Sequence, residues 1–511
     1  MYQHWFVSRQ KRRLTTILPA LVAFSDICVG EKWAGNTELQ LKFEDELKRR
    51  SITEHGTLRA RRENAGGGGV RTLFKQMKDL GLVFTEEDNG RCRLTLVAEA
   101  LIKGEITFVD AMRMQLRKYQ YPSATAWKGS GGIDHSFKVH PFQFMCRLLC
   151  DERLEGVLYM NEMSGIVIHY ADSDSKNCYE RVVDLILKYR KKIKLEEFVE
   201  DTPSKKYGNI SNTFFNYLSL CQYTDRGTNT ISVRSGKEAD IKNFIEKTPK
   251  FFNNPHLPEN YIRAYGRGKA AKDLRRFDRE NILSQQEITE ARIRKEYVLL
   301  AMRKPITSIT SEIVDEITAN TGIDEKTVEK FLIKNYSKGN INDFFASYKE
   351  MAHMGTDMAR DFEIATCEVF KNIFHMRAEH VGPIGNTPDV FVESDASGYC
   401  GIIDNKAYKK GYCINGNHLR VMEDEYIANY KSYGNTDKPL AFYTYIADSF
   451  GANMNSWLGR ITRDTNVNGS AMPVDLLINF AQDYAERGYN HDTIKRIFSV
   501  NREVRLSDIQ S

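Results

Sequence analysis

The chain has 511 residues, 41% hydrophobic and 28% charged, with a formal net charge of +5. This composition excludes a disordered or fibrous chain and leaves room for about three to four packed domains. No apolar run reaches the roughly 18 residues needed to cross a bilayer, and the basic start "MYQHWFVSRQKRRL" is followed by no secretory h-region, so a soluble intracellular protein with no membrane partner is expected. The nine cysteines include no CxxC pair, and Cys146 and Cys150 stand at helical spacing, which fits core positions and reduced thiols better than a zinc site. Charge is uneven. Residues 351–511 hold 16 Lys and Arg against 21 Asp and Glu, out of 73 and 68 in the whole chain, which leaves residues 1–350 at +10. The basic part suits a polyanion; a solvated basic surface would look the same.

In chain order, "NTELQLKFEDELKRR" reads as an amphipathic helix capped by Asn36. After the break "ENAGGGG" comes a second helix, "VRTLFKQMKDLGLV", and then strand, turn at Asn89-Gly90, strand and helix up to residue 104. Helix, helix, hairpin is the winged-helix order. The second helix carries Arg71, Lys75 and Lys78 on its polar side, and Arg59, Arg61 and Arg62 precede it. Such helices enter DNA grooves, although winged helices also make protein contacts. "LRKYQYPSATAW" interleaves Arg117 and Lys118 with Tyr119 and Tyr121, a phosphate path or a loop tucked on a core. A helical unit follows over 140–195. Residues 212–245 repeat the helix, hairpin, helix pattern as a weak structural echo rather than a fixed-period repeat. These segments make residues 1–255 a mainly α recognition region of winged-helix-like modules, and 256–344 a helical connecting module. Arg275 and Arg276 in that module are expected to touch phosphates or water.

Residues 345–511 change texture to α/β. An amphipathic helix over 357–374 precedes strands in "TPDVFVES", "GYCGIIDNKAY" and "PLAFYTYIA", with a helix in "RVMEDEYIANYKSYG" between the last two and helices closing the chain. Central strands this apolar belong to a sheet covered on both faces. In "GIIDNKAY", Asp404 and Lys406 point to one side of a period-2 strand, and Asp389 starts the strand before it. Buried charges need a partner or an ion. Either Asp404 and Lys406 are a quiet ion pair, or Asp389, Asp404 and the backbone carbonyl of Asn405 form an oxygen site for Mg2+, with Mn2+ as a substitute. Beside such an ion, Lys406 would orient or help deprotonate an attacking water and stabilise the transition state of phosphodiester hydrolysis.

The segments "FEIATCEVFKNIF", "TPDVFV", "GIIDNKAYKKGY" and "GRITRDTNVNGSAMPVDLLI" resemble, in order and nearly in spacing, the cleavage domain of the FokI-type restriction endonucleases, a branch of the PD-(D/E)XK nuclease superfamily. The resemblance implies a central mixed sheet flanked by helices, metal-binding acids at Asp389 and Asp404, and a catalytic lysine at Lys406. Glu363 and Glu368 fall where the family carries helix glutamates; Glu363 would help hold the metal or its water, or lie on a solvated face. In the family, an aspartate and an arginine four residues apart pair across a two-fold axis and dimerise the domain. The matching positions here are Arg420 and Asp424, the same pair with signs exchanged, which keeps complementarity in an isologous dimer. The simpler alternative is an i,i+4 pair within one helix. "HWFVSRQKRR", "GEKWAGN", "LRKYQYPSA" and "NNPHLPENYI" resemble the recognition regions of AlwI-like type IIS enzymes and their nicking relatives. Together these imply a type IIS restriction endonuclease in a prokaryotic cytoplasm. It would bind a short asymmetric double-stranded DNA site, pair transiently with a second copy through its nuclease domain, and cut at a fixed distance to leave 5′-phosphate ends. A strand-nicking enzyme, one subunit of a heterodimeric pair, and a non-catalytic winged-helix regulator are the alternatives.

Overall fold

The computed structural model describes residues 4–8, 14–50, 52, 68–123, 136–192, 205–227, 229–253, 258–277, 284–353, 355–382, 387–408 and 411–510. The chain divides into two compact units, Met1–Leu299 and Leu300–Ser511.

In the first unit the Thr37–Arg49 helix starts where Asn36 accepts a hydrogen bond from the Leu39 N–H at 3.0 Å. The Gly68–Asp79 helix then leads into strands β1 (Val83–Thr85) and β2 (Cys92–Leu94), an antiparallel hairpin turned at Asn89-Gly90, with Gly90 at φ +71°. The chain returns to this hairpin much later. The Pro258–Tyr265 helix and the residue after it bond to the hairpin turn and to the Leu96–Ile102 helix that follows it, the Glu87 N–H donating to the Glu259 carboxylate at 2.7 Å and the Val97 N–H to the Gly266 carbonyl at 2.9 Å. Residues 258–277 therefore pack within the first unit, where the sequence put them in a connecting module. A second antiparallel sheet has the order β3-β5-β4, from β3 (Val157–Tyr159), β4 (Thr224–Arg226) and β5 (Thr230–Val233). The hairpin β4/β5 is the one expected; its partner β3 lies inside a stretch that reads as helical.

The second unit is built on six strands: β6 (Arg377–His380), β7 (Val390–Ser394), β8 (Tyr399–Lys406), β9 (Leu440–Ala447), β10 (Gly469–Pro473) and β11 (Arg502–Glu503), ordered β11-β10-β9-β8-β7-β6. β6, β7 and β8 run antiparallel, whereas β8, β9, β10 and β11 run parallel. The sheet is mixed, as expected. Residues 416–434 make the right crossover between β8 and β9, but not as one α-helix: Gly416–Arg420 is α, Val421–Ile427 is π and Tyr430–Gly434 is α. Alternation along β8 sends Tyr399 and Ile403 into the core under the Ala359–Asn372 helix, and Cys400 and Ile402 into the core under the crossover. Both faces are thus dry, which explains the unbroken apolar run. Phe344, Phe345 and Tyr348 join the first of these cores, so a boundary at 345 would cut the Asn342–His353 helix and strip residues from the sheet it covers. No helix among the described residues is long and apolar enough to cross a membrane, and all nine cysteines are free.

Gly401 marks the tightest approach in β8. A methyl there would lie 2.5 Å from the ring of Phe442, itself stacked on Phe498 at 5.2 Å. Gly401→Ala is expected to destabilise the unit by about 2 kcal/mol, read as a lower urea midpoint.

Candidate active site

The register of β7 against β8 assembles the site. Val390 pairs with Ile403, so Asp389, one residue earlier, stands across from Asp404, one residue later. Cross-strand neighbours share a face, and the two carboxylates meet at the end of the strand pair. Asp404 is 5% exposed. Its Oδ1 is 2.6 Å from the Lys406 Nζ, so the ion pair foreseen as the quiet alternative is present. It is not the whole site. Asp389 Oδ2 accepts the backbone N–H of Asn405 at 2.5 Å. The N–H and C=O of a strand residue project to the same side, so the Asn405 carbonyl faces the same gap. The Asn405 side chain points the other way and donates to Thr366 Oγ1 at 2.5 Å, tying β8 to the Ala359–Asn372 helix.

The electrostatics follow from this crowding. Burial pushes the Asp389 carboxyl well above its ordinary range, and the negative charges of Asp404 and Glu363 push it further; Lys406 and the Asn405 N–H oppose this. Burial alone would lower Lys406, but Asp404 and Asp389 outweigh it and the ammonium is favoured. The contact with Asp404 fits the orienting and charge-stabilising part expected of Lys406. The ammonium lies 5.7 Å from the centre of the Tyr412 ring, whose hydroxyl is 3.0 Å from His418 Nδ1 on the crossover. Tyr426, further along the crossover, feels Asp404, Asp389 and Glu363, which add to the effect of its burial in raising its phenol.

Glu363 is not on a solvated face. It is 19% exposed, and its Oε2 is 2.9 Å from His380 Nε2 on β6. Glu368 looks elsewhere: Lys304, Lys371 and Glu312 are its charged neighbours, and burial raises it. Among the described residues no three His, Cys, Asp or Glu side chains converge closely enough to ligate one ion. The donor set is two opposed carboxylates and a backbone carbonyl. It fits Mg2+, which keeps much of its water and takes one or two protein carboxylates. His380, Thr366, Tyr412 and Tyr426 were not anticipated, since each reaches the site from a separate element with no motif to mark it.

Arg420 and Asp424 are both exposed on the crossover, but they do not pair with each other. Arg420 Nη1 is 3.5 Å from Glu425 Oε1, five residues on. The π turn brings i and i+5 together and removes the α-helical i,i+4 contact, so the simple intrahelical Arg420–Asp424 pair is not formed.

The basic residues singled out near the N-terminus fare unevenly. Arg59, Arg61 and Arg62 lie outside the described residues. Arg71 is exposed on the Gly68–Asp79 helix. Lys75 is paired with Asp79 at 3.1 Å. Lys78 is mostly buried, 3.4 Å from Thr85 Oγ1 and 5.5 Å from the Phe74 ring centre, and burial lowers its pKa. Lys118 donates to the Tyr265 carbonyl, and burial lowers it to about 8. Tyr119 is 2% exposed and packs edge-on against Phe142. Tyr119 is thus a core residue and the half-buried Lys118 is engaged by a backbone carbonyl, in keeping with the segment being tucked on a core, the alternative the sequence left open. Arg275 is also committed inside, to Asp273, Glu99 and the Leu94 carbonyl.

The mixed sheet, with two opposed aspartates and an adjacent lysine at one strand end, has the arrangement that the sequence resemblance implied. Comparison with known proteins agrees. Residues 322–505 match the family described as FokI, cleavage domain. The match begins well before residue 345, in keeping with the helices that join this core. Residues 109–242 match the N-terminal domain of the type II restriction endonuclease HgaI, a different relative from the AlwI-like enzymes. The type II restriction enzyme StsI of Streptococcus sanguinis is 24% identical over 196 residues, 34% of this chain and 31% of that protein, so the match spans about a third of the relative's length. Among solved structures, restriction endonuclease FokI aligns over 96% of this chain and 98% of its own at 12% identity and TM-score 0.32. FokI bound to DNA aligns over 94% and 89% at 13% and 0.31.

Asp389 is a carboxylate whose raised pKa opposes folding of the charged form. An acid raised on folding binds its proton more tightly in the native state, so its contribution to stability falls as pH rises through the window above its unfolded value. In metal-free buffer at neutral pH, Asp389→Asn, which keeps an oxygen for the Asn405 N–H, is expected to be more stable than the parent by about 1 kcal/mol in urea unfolding. The gain should vanish at pH 3.

Proposed function

We propose that the chain is a type IIS restriction endonuclease. Its basic N-terminal region binds a short asymmetric duplex DNA site through winged-helix-like modules, and its C-terminal domain hydrolyses phosphodiester bonds at a fixed distance outside it. The observation that carries this reading is the convergence of Asp389, Asp404 and Lys406 at the β7/β8 end, inside a domain of the FokI cleavage family. The relatives by sequence are a type II restriction enzyme and the N-terminal domain of another.

Asp389, Asp404 and the Asn405 carbonyl would hold Mg2+ (or Mn2+), which when bound supplies Lewis-acid activation of a phosphoryl oxygen and a more acidic water. The protein's own share is positional and electrostatic. The Asn405 N–H fixes Asp389, and the Asp404 carboxylate fixes Lys406. The Lys406 ammonium then faces the phosphate and stabilises the extra negative charge of the transition state. Water adds to phosphorus, the bond to the 3′ oxygen breaks, and the proton of that water ends on the 3′ oxygen, leaving 5′-phosphate and 3′-hydroxyl ends. Asp404→Ala and Lys406→Ala are each expected to lower plasmid cleavage by about a thousandfold or more while sparing duplex binding in EDTA. Cleavage by Asp404→Ala at the parental rate would remove the site assignment. Run-off sequencing of the parental products in Mg2+ reads the recognition site, offset and strand choice.

One domain carries one such site, so cutting both strands takes two copies. Arg420 and Asp424 are the residues through which two domains would pair, each meeting the other's opposite charge. Asp424→Arg is expected to nick or spare supercoiled plasmid, and mixing it with Arg420→Asp protein to restore linear product. A second reading, a strand-nicking enzyme, draws support from the Arg420–Glu425 contact, which occupies one of the two charges. It predicts open circles only, unaffected by Asp424→Arg. A non-catalytic regulator would leave the three-residue arrangement without use.

A further inference from the structure

Three neighbouring strands deliver an aspartate to the same end of the sheet, and the third has no part in the gap between Asp389 and Asp404. In the parallel ladder of β8 and β9, Lys406 pairs with Ala447, so Asp448, the first residue past β9, stands one strand spacing, about 4.8 Å, from the end of β8. The chain just beyond is laced to the site. The Tyr412 N–H donates to the Ser449 carbonyl at 2.8 Å and the Gly451 N–H to the Tyr412 carbonyl at 2.9 Å, and the Tyr412 ring is the one beside the Lys406 ammonium. Asp448 is 8% exposed, and its Oδ2 is 2.9 Å from His353 Nδ1. His353 ends the Asn342–His353 helix, which is tied to β8 through a different side chain: the Tyr348 hydroxyl is 2.7 Å from Thr366 Oγ1, the atom that accepts the Asn405 amide. Holding the helix in place therefore does not depend on the His353–Asp448 contact.

We propose that His353, oriented by Asp448, binds a phosphate of the cut strand next to the one that meets Lys406. The proposal rests on the nuclease reading above and extends that site from the scissile phosphate to its neighbour. An ionised carboxylate only accepts, so the Asp448 contact fixes a proton on Nδ1 and leaves Nε2 as the nitrogen open to a ligand. Among the described residues nothing bonds to Nε2, and the His353 side chain keeps 18% of its surface exposed. His491 shows the contrasting, purely structural arrangement in the same unit: its Nδ1 is 2.7 Å from the Ser394 hydroxyl and its Nε2 is 2.8 Å from the Phe374 carbonyl, so both nitrogens are used internally. No third His, Cys, Asp or Glu among the described residues joins His353 and Asp448, so the pair is not built as a metal site. A ring that donates from both nitrogens is an imidazolium, here set between the carboxylate and a phosphate oxygen, and charge-assisted hydrogen bonds of that kind are the stronger ones. Each strand of a duplex carries a charge about every 3.4 Å along the axis, so a strand that brings one phosphate to Lys406 brings another past the end of β9.

The test is single-turnover cleavage by the full chain in Mg2+ of duplexes that carry one uncharged methylphosphonate, placed in turn at each phosphate flanking the cut. At one flanking position the parent is expected to slow about tenfold, the scale of a lost charge-assisted hydrogen bond. His353→Ala is expected to cleave the unmodified duplex about tenfold more slowly than the parent, with no further loss from that methylphosphonate, because the two changes remove the same contact. Asp448→Ala is expected to lose most of the sensitivity to the same phosphate. A purely structural role would slow every duplex alike and keep the parent's pattern. Equal methylphosphonate losses in the parent, His353→Ala and Asp448→Ala would therefore overturn the proposal, as would parental rates in His353→Ala or a parent with no sensitive flanking phosphate. The urea midpoint of each variant checks folding. If His353→Ala does not fold, His353→Gln decides by the same measure, since a neutral amide is expected to lose most of the sensitivity to that phosphate. Asp404→Ala on the unmodified duplex separates this proposal from the reading beneath it. If Asp404→Ala is inactive while His353→Ala keeps the parent's pattern, this proposal fails and the site reading stands; if Asp404→Ala cleaves like the parent, the site reading fails and this proposal with it.

Discussion

Two carboxylates forced to face each other at the dry end of a strand pair are the constraint around which the second unit is arranged. Asp389 and Asp404 are opposed by register, not by choice of rotamer, because the pairing that makes Val390 meet Ile403 makes them meet as well. Like charges this close are unfavourable, and the surrounding groups read as partial compensation. Lys406 neutralises one carboxylate and the Asn405 N–H the polar edge of the other, while Glu363 adds a third negative charge. Among the described residues named here, carboxylates outnumber ammonium groups. A polyanionic substrate and a negative site repel each other, so on the proposed reading the same cation that completes the site also admits the phosphate. A nuclease that is electrostatically closed without its ion needs no separate device to be inactive in its absence.

The fold supplies the dryness that makes this matter. β8 is buried along its length up to its last residue, Lys406, and its polar side chains are gathered at that end. Tyr412 and the crossover's Tyr426 seal one face, and the Ala359–Asn372 helix seals the other through Thr366. Low dielectric strengthens every interaction in the gap, favourable and unfavourable alike. That is why register matters more here than in the rest of the sheet: slipping β7 by one residue would turn Asp389 to the other face and part it from Asp404.

What could be read from the residues depended on whether the signal was local. β7, β8 and β9, the crossover between them, and the facing of Asp404 with Lys406 follow from period-2 alternation and apolar runs. β6 is polar ("RAEH") and β10 is small ("GSAMP"), so neither carries a strand pattern; both exist because neighbours pair with them. Hence His380 was invisible, since it matters only once β6 is known to lie beside β7. The N-terminal errors have the opposite cause. Arg117 and Lys118 beside Tyr119 and Tyr121 resemble a surface path, but the same mixture serves a segment whose tyrosines face inward, and Lys118 donates to a carbonyl there. Net charge could not distinguish arginines held by Asp273 and Glu99 from arginines free to meet phosphate. Basic composition located a region, not its contacts.

The π turn in the crossover bears on how two copies would meet. In an α-helix, Arg420 and Asp424 would stack and largely satisfy each other. The wider turn moves Arg420 over Glu425 and leaves Asp424 exposed with no ion pair among the described residues. The Arg420–Glu425 contact is half exposed at 3.5 Å, and surface pairs of this kind are worth roughly 0–1 kcal/mol. Exchanging it for a reciprocal pair with another copy therefore costs little, but gains little too, for the same reason. Such a contact is too weak to hold two free proteins together and becomes significant only when both are tethered nearby, where the effective concentration rises to the millimolar range. On the proposed reading, pairing, and with it the cutting of both strands, would be confined to copies already gathered on the same DNA.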